Sequence, residues 1–153
     1  MKIVFDCDGT LLRSSPEGPI IYTGIRELLE QLKNDGHELY VWTGRDRGST
    51  IEYLKSLDII SFFIDFSCAD DGLSKPHPDG PTKMLGGEDK ENIILIGDSL
   101  NDLHGAKNYG ISFIFVDWES RLKDHYERLK SDGVEAIFRT PQELYQHIIK
   151  IDK

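Results

Sequence analysis

The chain has 153 residues, of which 39% are hydrophobic and 29% are charged, and its formal net charge is −9. This length predicts one domain, residues 1–153, with enough apolar side chains to fold around a core without a metal or disulfide brace. The acidic balance argues against nucleic acids and anionic membrane surfaces as partners, and two cysteines are too few for a disulfide scaffold.

Short apolar segments alternate with amphipathic segments in the first half of the chain. Residues 2–6 are predicted to form a buried strand that ends in an acid. Apolar residues at i, i+3, i+4 and i+7 from Ile25 predict a helix with one apolar face. Strands are predicted at 38–43 and 61–66, and a second helix near Ile51 separates them.

The same alternation continues to the end of the chain. The remaining predicted elements are strands at 92–97 and 112–116 and helices near Leu100, Leu122 and Pro141. The last helix is the best marked, because Thr140 is an N-cap residue and Glu143 completes a capping box. The segment 70–80, rich in Pro, Gly and Asp, is predicted to be a loop within the domain.

Strands separated by helices indicate an α/β fold with a parallel sheet and helices on both faces. In such open sheets, binding sites lie beyond the carboxyl ends of the strands. Unusual polar residues are therefore expected directly after the strands, and the chain has them there. They are Asp6, Asp8, Thr43, Gly44, Arg45, Asp98 and Asp102, joined by Lys75 from the segment before the fourth strand.

This set of residues suits phosphoryl transfer. Several carboxylates at one place repel one another and need a cation, and an all-oxygen ligand set favours Mg²⁺. One carboxylate can act as a nucleophile, while a second protonates the leaving oxygen and later activates water. A hydroxyl, an ammonium and backbone N–H groups can then stabilise the transferring oxygens.

The motifs resemble those of the haloacid dehalogenase-like superfamily of phosphohydrolases, in the family's order. Asp6-x-Asp8-Gly9-Thr10 resembles the first motif, and Gly97-Asp98-Ser99-x-x-Asp102 resembles the fourth, while Thr43 and Lys75 match the second and third. The resemblance covers about residues 2–116. It implies a Rossmann-like three-layer sandwich with a parallel sheet in the order 5-4-1-2-3.

The resemblance also implies a role for each residue. Asp6 would be the nucleophile and Asp8 the general acid and base, with Mg²⁺ bound by Asp6, Asp98 and the backbone carbonyl of Asp8. Asp102 would be an outer carboxylate that acts through metal-bound water or by holding the lysine. The phosphoryl group would be bound by Thr43, Lys75 and the backbone N–H of Gly44.

Other residues near these motifs have two interpretations each. Arg45 either contacts substrate or forms a surface ion pair with Asp46. The segment Arg13–Ser15 lies where the family has a mobile flap, and Asn101 either supports the helix start or lies near the metal. Two residues beside the motifs, Cys7 and Trp42, are predicted to be packed in the core by strand alternation.

The sequence favours a phosphatase without a cap domain. An acid at position 8 suits hydrolysis, and the segments 11–40 and 44–74 hold only a loop and a helix, and a helix and a strand, which leaves no room for a cap. We expect a cytoplasmic enzyme acting on a small phosphomonoester, such as a sugar phosphate or a phosphoglycolate-like compound. An open site of this kind favours a homo-oligomer in which a neighbour covers the entrance.

Alternatives remain at this point. Phosphotransfer to an acceptor other than water, or action on a macromolecular phosphate, would use the same residues. A phosphoreceiver module also combines Asp, Thr, Lys and Mg²⁺, but its phosphoacceptor follows the third strand, and Asp98 and Asp102 would then have no role. A non-catalytic scaffold is disfavoured because every motif residue is present.

Overall fold

The computed structural model describes residues 1–87 and 89–152, and a parallel sheet runs through its centre. In chain order the strands are β1 (Lys2–Phe5), β2 (Leu12–Ser15), β3 (Gly18–Ile21), β4 (Glu38–Trp42), β5 (Phe63–Ser67), β6 (Ile93–Gly97), β7 (Ser112–Val116) and β8 (Ile137–Phe138). The sheet order is β5-β4-β1-β6-β7-β8, so the predicted arrangement of the five main strands is confirmed. β8 extends one edge by pairing with β7 and was not predicted.

Helices cover both faces of this sheet. They are α1 (Ile25–Asn34), α2 (Arg47–Ser56), α3 (Asp79–Leu85), α4 (Leu100–Tyr109), α5 (Tyr126–Ser131) and α6 (Pro141–Ile151). Side chains alternate along β1, so Ile3 and Phe5 pack with α1, α2 and α6 on one face. Val4 packs on the opposite face with side chains of α3 and α4, and α5 covers the outer end of that face. The fold is therefore the predicted three-layer α/β arrangement.

Side-chain caps fix where α6 and α4 begin, and the one at α6 was predicted. The Thr140 hydroxyl accepts a hydrogen bond from the Glu143 N–H at 3.1 Å, and Pro141 opens the first turn of α6. Ser99 and Asp102 form a reciprocal capping box at the start of α4. At α6 the Glu143 carboxylate instead accepts from the Arg139 N–H at 3.2 Å, so the capping box predicted there is not completed. The box at α4 holds the loop after β6 in a defined shape.

The structure corrects the prediction in two segments. Residues 12–21, predicted as loop, form an antiparallel hairpin of β2 and β3, and its turn is closed by the Ser15 hydroxyl bound to the Gly18 carbonyl at 2.8 Å. The predicted loop 70–80 ends earlier, because α3 begins at Asp79. Both elements are short, and so they lack the repeated apolar spacing by which longer elements are recognised.

The other differences concern the ends of elements. The strand predicted at 61–66 begins at Phe63, after a single 3-10 turn over Ile60–Phe62. The helix predicted near Leu122 begins at Tyr126, after a second 3-10 turn.

In the part of the chain that the structure describes, no helix has both the length and the apolar character to cross a bilayer.

Candidate active site

Three neighbouring strands deliver the polar residues to one edge of the sheet. Asp6 follows β1, Thr43 follows β4 and Asp98 follows β6, and β1 lies between the other two strands. The Asp6 N–H donates to the Ile96 carbonyl at 2.9 Å, which continues the ladder between β1 and β6 past the end of β1. The carboxyl ends of the strands therefore bring these side chains together, as expected from the fold.

A buried ion triad forms the floor of the site. The Lys75 ammonium lies 3.2 Å from an Asp6 carboxylate oxygen and 2.6 Å from an Asp102 oxygen, and the lysine side chain is only 1% exposed. Lys75 is also 5.2 Å from the centre of the Trp42 ring, so an aromatic face backs the ammonium. Trp42 is itself buried, as predicted.

Gly105 of α4 leaves room for the lysine and the indole that backs it. A Cβ at Gly105 would lie 2.8 Å from the Trp42 ring and 3.4 Å from a Lys75 methylene. The glycine therefore lets α4 approach closely enough to hold both side chains in place.

Asp102 braces the loop after β6 as well as Lys75. One of its oxygens accepts from Lys75, and the other accepts from the Asp98 and Ser99 N–H groups at 3.0 and 3.1 Å and from the Ser99 hydroxyl at 2.9 Å. Both oxygens of the buried carboxylate therefore have partners within the protein. This arrangement suits a residue that positions the lysine and the loop.

Asp6, Asp98 and Asp102 form a cluster in which one oxygen from each lies within 4.8 Å of the others. Burial raises the pKa of Asp6 well above its ordinary value, and the charges of Asp102 and Asp98 raise it further, while Lys75 opposes the rise. Burial also raises the pKa of Asp98. Crowded carboxylates of this kind are stabilised by a cation.

The surroundings of the cluster fit a hard dication. All donors are oxygen atoms, as Mg²⁺ prefers. Gly9 has a φ of +84°, and a Cβ there would lie 1.9 Å from an Asp98 oxygen, so only glycine lets the first loop approach this carboxylate. The Thr10 hydroxyl, 3.4 Å from Asp98, contacts the same carboxylate from the first loop.

Lys75 keeps its charge in this environment. Burial alone would lower its pKa, but the Asp6 and Asp102 carboxylates outweigh burial and raise the pKa above the ordinary value. The ammonium is thus a fixed positive charge beside the predicted nucleophile.

Asp8 faces the mouth of the site and pairs with Arg45. The guanidinium donates to both carboxylate oxygens, from Nε at 3.0 Å and from a terminal nitrogen at 2.7 Å. Of the two interpretations of Arg45, the ion pair with Asp46 was therefore wrong. Asp46 instead caps α2 by accepting hydrogen bonds from the Ser49 N–H and hydroxyl, which commits its carboxylate to the helix start.

An open cleft of about 350 Å³ joins these groups. Its lining residues are Asp6, Asp8, Thr43, Gly44, Arg45, Lys75, Ser99, Asn101 and Asp102. The Thr43 hydroxyl accepts from the Arg45 N–H at 3.1 Å, which shapes the loop after β4 around the cleft. The space beside Gly44 is open, so its backbone is accessible from the cleft. All eight predicted site residues except Asp98 line this cleft, and Asp98 belongs to the acidic cluster at its floor.

Ser99 and Ser14 also lie at the site, and of these only Ser14 was considered from the sequence, within the segment Arg13–Ser15. Ser99 was quoted only as part of a motif, although the Ser-x-x-Asp spacing indicates a capping box. Ser14, from the predicted flap, bonds Arg45 at 2.9 Å, and the flap is the hairpin of β2 and β3. Cys7 is packed in the core as expected, and burial raises the pKa of its thiol.

Sequence comparison finds one family model along most of the chain. Residues 12–116 match the model described as haloacid dehalogenase-like hydrolase. The match begins after Asp6 and Asp8, so the family model does not cover these two residues. Among curated proteins, the chain is similar to pyrophosphatase PpaX of Halalkalibacterium halodurans, with 29% identity over 116 residues that cover 74% of this chain and 54% of the relative. The chain thus spans about half the length of the curated relatives it matches.

Solved structures resemble the fold over nearly the whole chain. A predicted phosphatase from Clostridium acetobutylicum superposes with a TM-score of 0.83 at 20% identity, over 97% of this chain and 98% of that one. A haloacid dehalogenase-like hydrolase from Streptococcus pneumoniae gives a TM-score of 0.78 at 20% identity, over 96% and 97% of the two chains. These likenesses concern the fold.

Proposed function

The chain belongs to the haloacid dehalogenase-like hydrolase family, and from that premise we propose that it is a Mg²⁺-dependent phosphatase working through an aspartyl-phosphate. The observation that carries the proposal is the buried Asp6–Lys75–Asp102 triad, which lies within reach of Asp98 and opens onto a polar cleft. A nucleophile, a fixed cation and a dication site meet there at one point.

Each half of the reaction can be assigned to residues of the chain. An Asp6 oxygen attacks phosphorus and forms the O–P bond of the aspartyl-phosphate, while the bond to the leaving oxygen breaks and Asp8 gives that oxygen a proton. Asp8 then takes a proton from water as the water oxygen attacks phosphorus, which releases inorganic phosphate and regenerates Asp6. Thr43, Lys75 and the Gly44 N–H would bind the phosphoryl oxygens throughout.

Mg²⁺ would be held by Asp6, Asp98 and the Asp8 carbonyl, and when bound it neutralises charge on the transferring phosphoryl group. Asp102 completes the acidic cluster, and its contacts support the outer role, because both of its oxygens are already bonded. The pKa values of Asp6 and Asp98 are raised by burial first and by neighbouring carboxylates second, and a dication there would offset both effects, which supports a cation site.

The substrate we propose is a small phosphorylated metabolite. The cleft is polar and has a volume of about 350 Å³, which suits a compact substrate such as a sugar phosphate, phosphoglycolate or pyrophosphate. Pyrophosphate enters as a candidate through the name of the PpaX relatives. The net charge of −9 disfavours polymeric nucleic acid.

The open entrance to the cleft is consistent with two further proposals, one on oligomeric state and one on the size of the substrate. In residues 1–87 and 89–152, the segments between β1 and β4 and between β4 and β6 hold a hairpin, helices and β5, and no folded cap. Such a site is either covered by a second copy of the chain or free to accept a phosphate on a macromolecule. Phosphotransfer to another acceptor would use the same aspartyl-phosphate.

Hydrolysis of an aryl phosphate tests the proposal. The purified protein should release phosphate with Mg²⁺ and stop when the metal is chelated, and Asp6→Asn should abolish turnover. Asp124→Asn, an exposed aspartate on the turn before α5, is the control and should keep full activity. Circular dichroism confirms that each variant is folded. Turnover that survives in Asp6→Asn would contradict the covalent mechanism.

A further inference from the structure

The Arg45 guanidinium is held rigidly at the mouth of the cleft. It makes two hydrogen bonds to Asp8, one to the Ser14 hydroxyl at 2.9 Å and one to the Ser49 hydroxyl at 3.2 Å. It also lies 4.4 Å from the centre of the Tyr53 ring. Its donors therefore form a preorganised fork, which matches planar anions with two oxygens.

The two cations of the cleft occupy different depths. Lys75 is 1% exposed and is already paired with Asp6 and Asp102, whereas Arg45 is 20% exposed and its partner Asp8 is 45% exposed. Lys75 is thus placed at the transferring phosphoryl group. Arg45 is placed further out, toward the solvent.

The geometry of in-line displacement determines which part of the substrate lies beside Arg45. When Asp6 attacks phosphorus, the leaving oxygen lies on the far side of phosphorus, where Asp8 must reach it. Arg45 is bonded to Asp8, so the group attached to the leaving oxygen enters the space beside Arg45. A charge on that group would therefore lie beside the guanidinium.

The same ion pair restrains Asp8. Both of its carboxylate oxygens are bound to Arg45, so Asp8 must give up at least one of these charge-assisted bonds to approach the leaving oxygen. A neutral leaving group offers Arg45 no replacement. A carboxylate or a second phosphate offers the same two-oxygen face, and one ion pair would then replace another.

From these contacts, and resting on the proposed function, we infer that Arg45 is a specificity-determining residue. It selects phosphates that carry a second anionic group next to the leaving oxygen. Arg45 exchanges its partner Asp8 for that group, and the freed Asp8 carboxylate takes a proton from solvent, which it then gives to the leaving oxygen. The shared chemistry is an anion with two exposed oxygens, supplied by a carboxylate, as in phosphoglycolate, or by a second phosphate, as in pyrophosphate.

A pair of substrates that differ only in charge tests the inference. Phosphoglycolate and its neutral carboxamide have the same size and the same leaving oxygen, and pyrophosphate is run beside them to distinguish the two sources of anion. We expect kcat/KM for phosphoglycolate to exceed that for the carboxamide by about tenfold, the scale of one partly exposed charge-assisted hydrogen bond. Pyrophosphate has a less basic leaving oxygen, so for this substrate the informative quantity is the change that Arg45→Gln makes in its kcat/KM relative to that of the carboxamide. Release of Asp8 places part of this difference in kcat, and binding of the anion places part in KM.

Arg45→Gln should bring the charged-to-neutral ratio close to one, whatever happens to the overall rate. Arg45→Lys keeps the charge but loses the fork and should restore part of the ratio. Arg47→Gln is the matched control, because Arg47 pairs with Asp71 outside the cleft, and it should keep the wild-type ratio. Thermal melts check that all three variants fold.

Two results would overturn the inference: equal kcat/KM for the charged and neutral substrates in the wild type, or a fall in Arg45→Gln that leaves the ratio unchanged. The second result would mean that Arg45 only orients Asp8. If no phosphate is hydrolysed, the proposed function fails, and binding then decides the inference. In calorimetry, Asp6→Asn should bind phosphoglycolate more tightly than the carboxamide. The double variant Asp6→Asn with Arg45→Gln should lose that difference in affinity. Equal affinity for the two compounds in Asp6→Asn would contradict the inference.

Discussion

Replacing Lys75 with methionine removes the one ammonium of the buried triad while keeping the length of the side chain. The Lys75 charge is paired at 3.2 Å with Asp6 and at 2.6 Å with Asp102. Removing one partner from a buried ion pair typically costs about 3–5 kcal/mol of folding free energy. Asp6 already has a raised pKa and takes up a proton readily, which offsets part of that cost.

We therefore expect Lys75→Met to lose about 2–3 kcal/mol of stability without metal, a drop of roughly 8 °C in Tm for a domain of this size. Loss of a donor to the phosphoryl group should lower kcat by about 10²–10³. Mg²⁺ should stabilise the variant more than the wild type, because a dication would replace part of the missing charge.

The assays are thermal unfolding with and without Mg²⁺, and phosphate release from an aryl phosphate. Lys83→Met is the matched control, since Lys83 is 64% exposed and pairs with Asp79 on the surface, and it should change stability by less than about 0.5 kcal/mol. A Lys75→Met protein that melts within about 2 °C of the wild type would refute the buried triad, because a gap so small corresponds to under about 1 kcal/mol.

Two further predictions concern the cation site. Gly9→Ala should fold but lose most Mg²⁺ affinity, because its Cβ would displace the Asp98 carboxylate. Gly36→Ala is the control, because it carries the same backbone strain at a φ of +87° but its Cβ would have no neighbour within 4 Å. This variant should keep the Mg²⁺ affinity of the wild type in isothermal titration. The second prediction concerns pH. The pKa values of Asp6 and Asp98 are raised in the folded state, so without metal the folded state holds more protons than the unfolded state above about pH 4. These two groups therefore make the protein more stable as the pH falls from neutral toward that value. Mg²⁺ needs the ionised carboxylates, so its stabilising effect on Tm should be larger at pH 8 than at pH 5.5, and an equal effect at both would contradict a carboxylate site.

The alternation of strands and helices and the position of the site could be predicted because they depend on local pattern, whereas the strand order was implied by the resemblance to the family. The apolar runs of β1, β4 and β6 are long enough to read, and parallel strands align their carboxyl ends whatever the loops do. Asp6, Thr43 and Asp98 follow those ends directly. Their meeting is therefore a consequence of the fold class.

The partner of Arg45 could not be predicted in the same way. Asp46 is next in sequence, but its carboxylate is needed at the start of α2, where it accepts two hydrogen bonds from Ser49. Asp8 is far away in sequence and becomes the partner only because β1 and β4 are neighbours in the sheet. Contacts between loops depend on such packing, which sequence spacing does not encode.

Elements that depend on a neighbour were missed for a related reason. β8 has two residues and exists through its pairing with β7. The hairpin of β2 and β3 is defined by its turn at Ser15 and Gly18 and shows little apolar alternation. Neither carries a pattern of its own that is long enough to recognise.

The central claim is that Asp6 receives the phosphoryl group beside a dication held by the acidic cluster. A crystal structure of the protein with beryllofluoride and Mn²⁺ tests it most directly, since beryllofluoride mimics a phosphoryl group and Mn²⁺ is located by its anomalous signal. We predict beryllium bonded to an Asp6 oxygen, with Mn²⁺ coordinated by Asp6 and Asp98 and with Lys75 in contact with fluorine. Beryllofluoride bound away from Asp6, or Mn²⁺ bound elsewhere, would contradict the account.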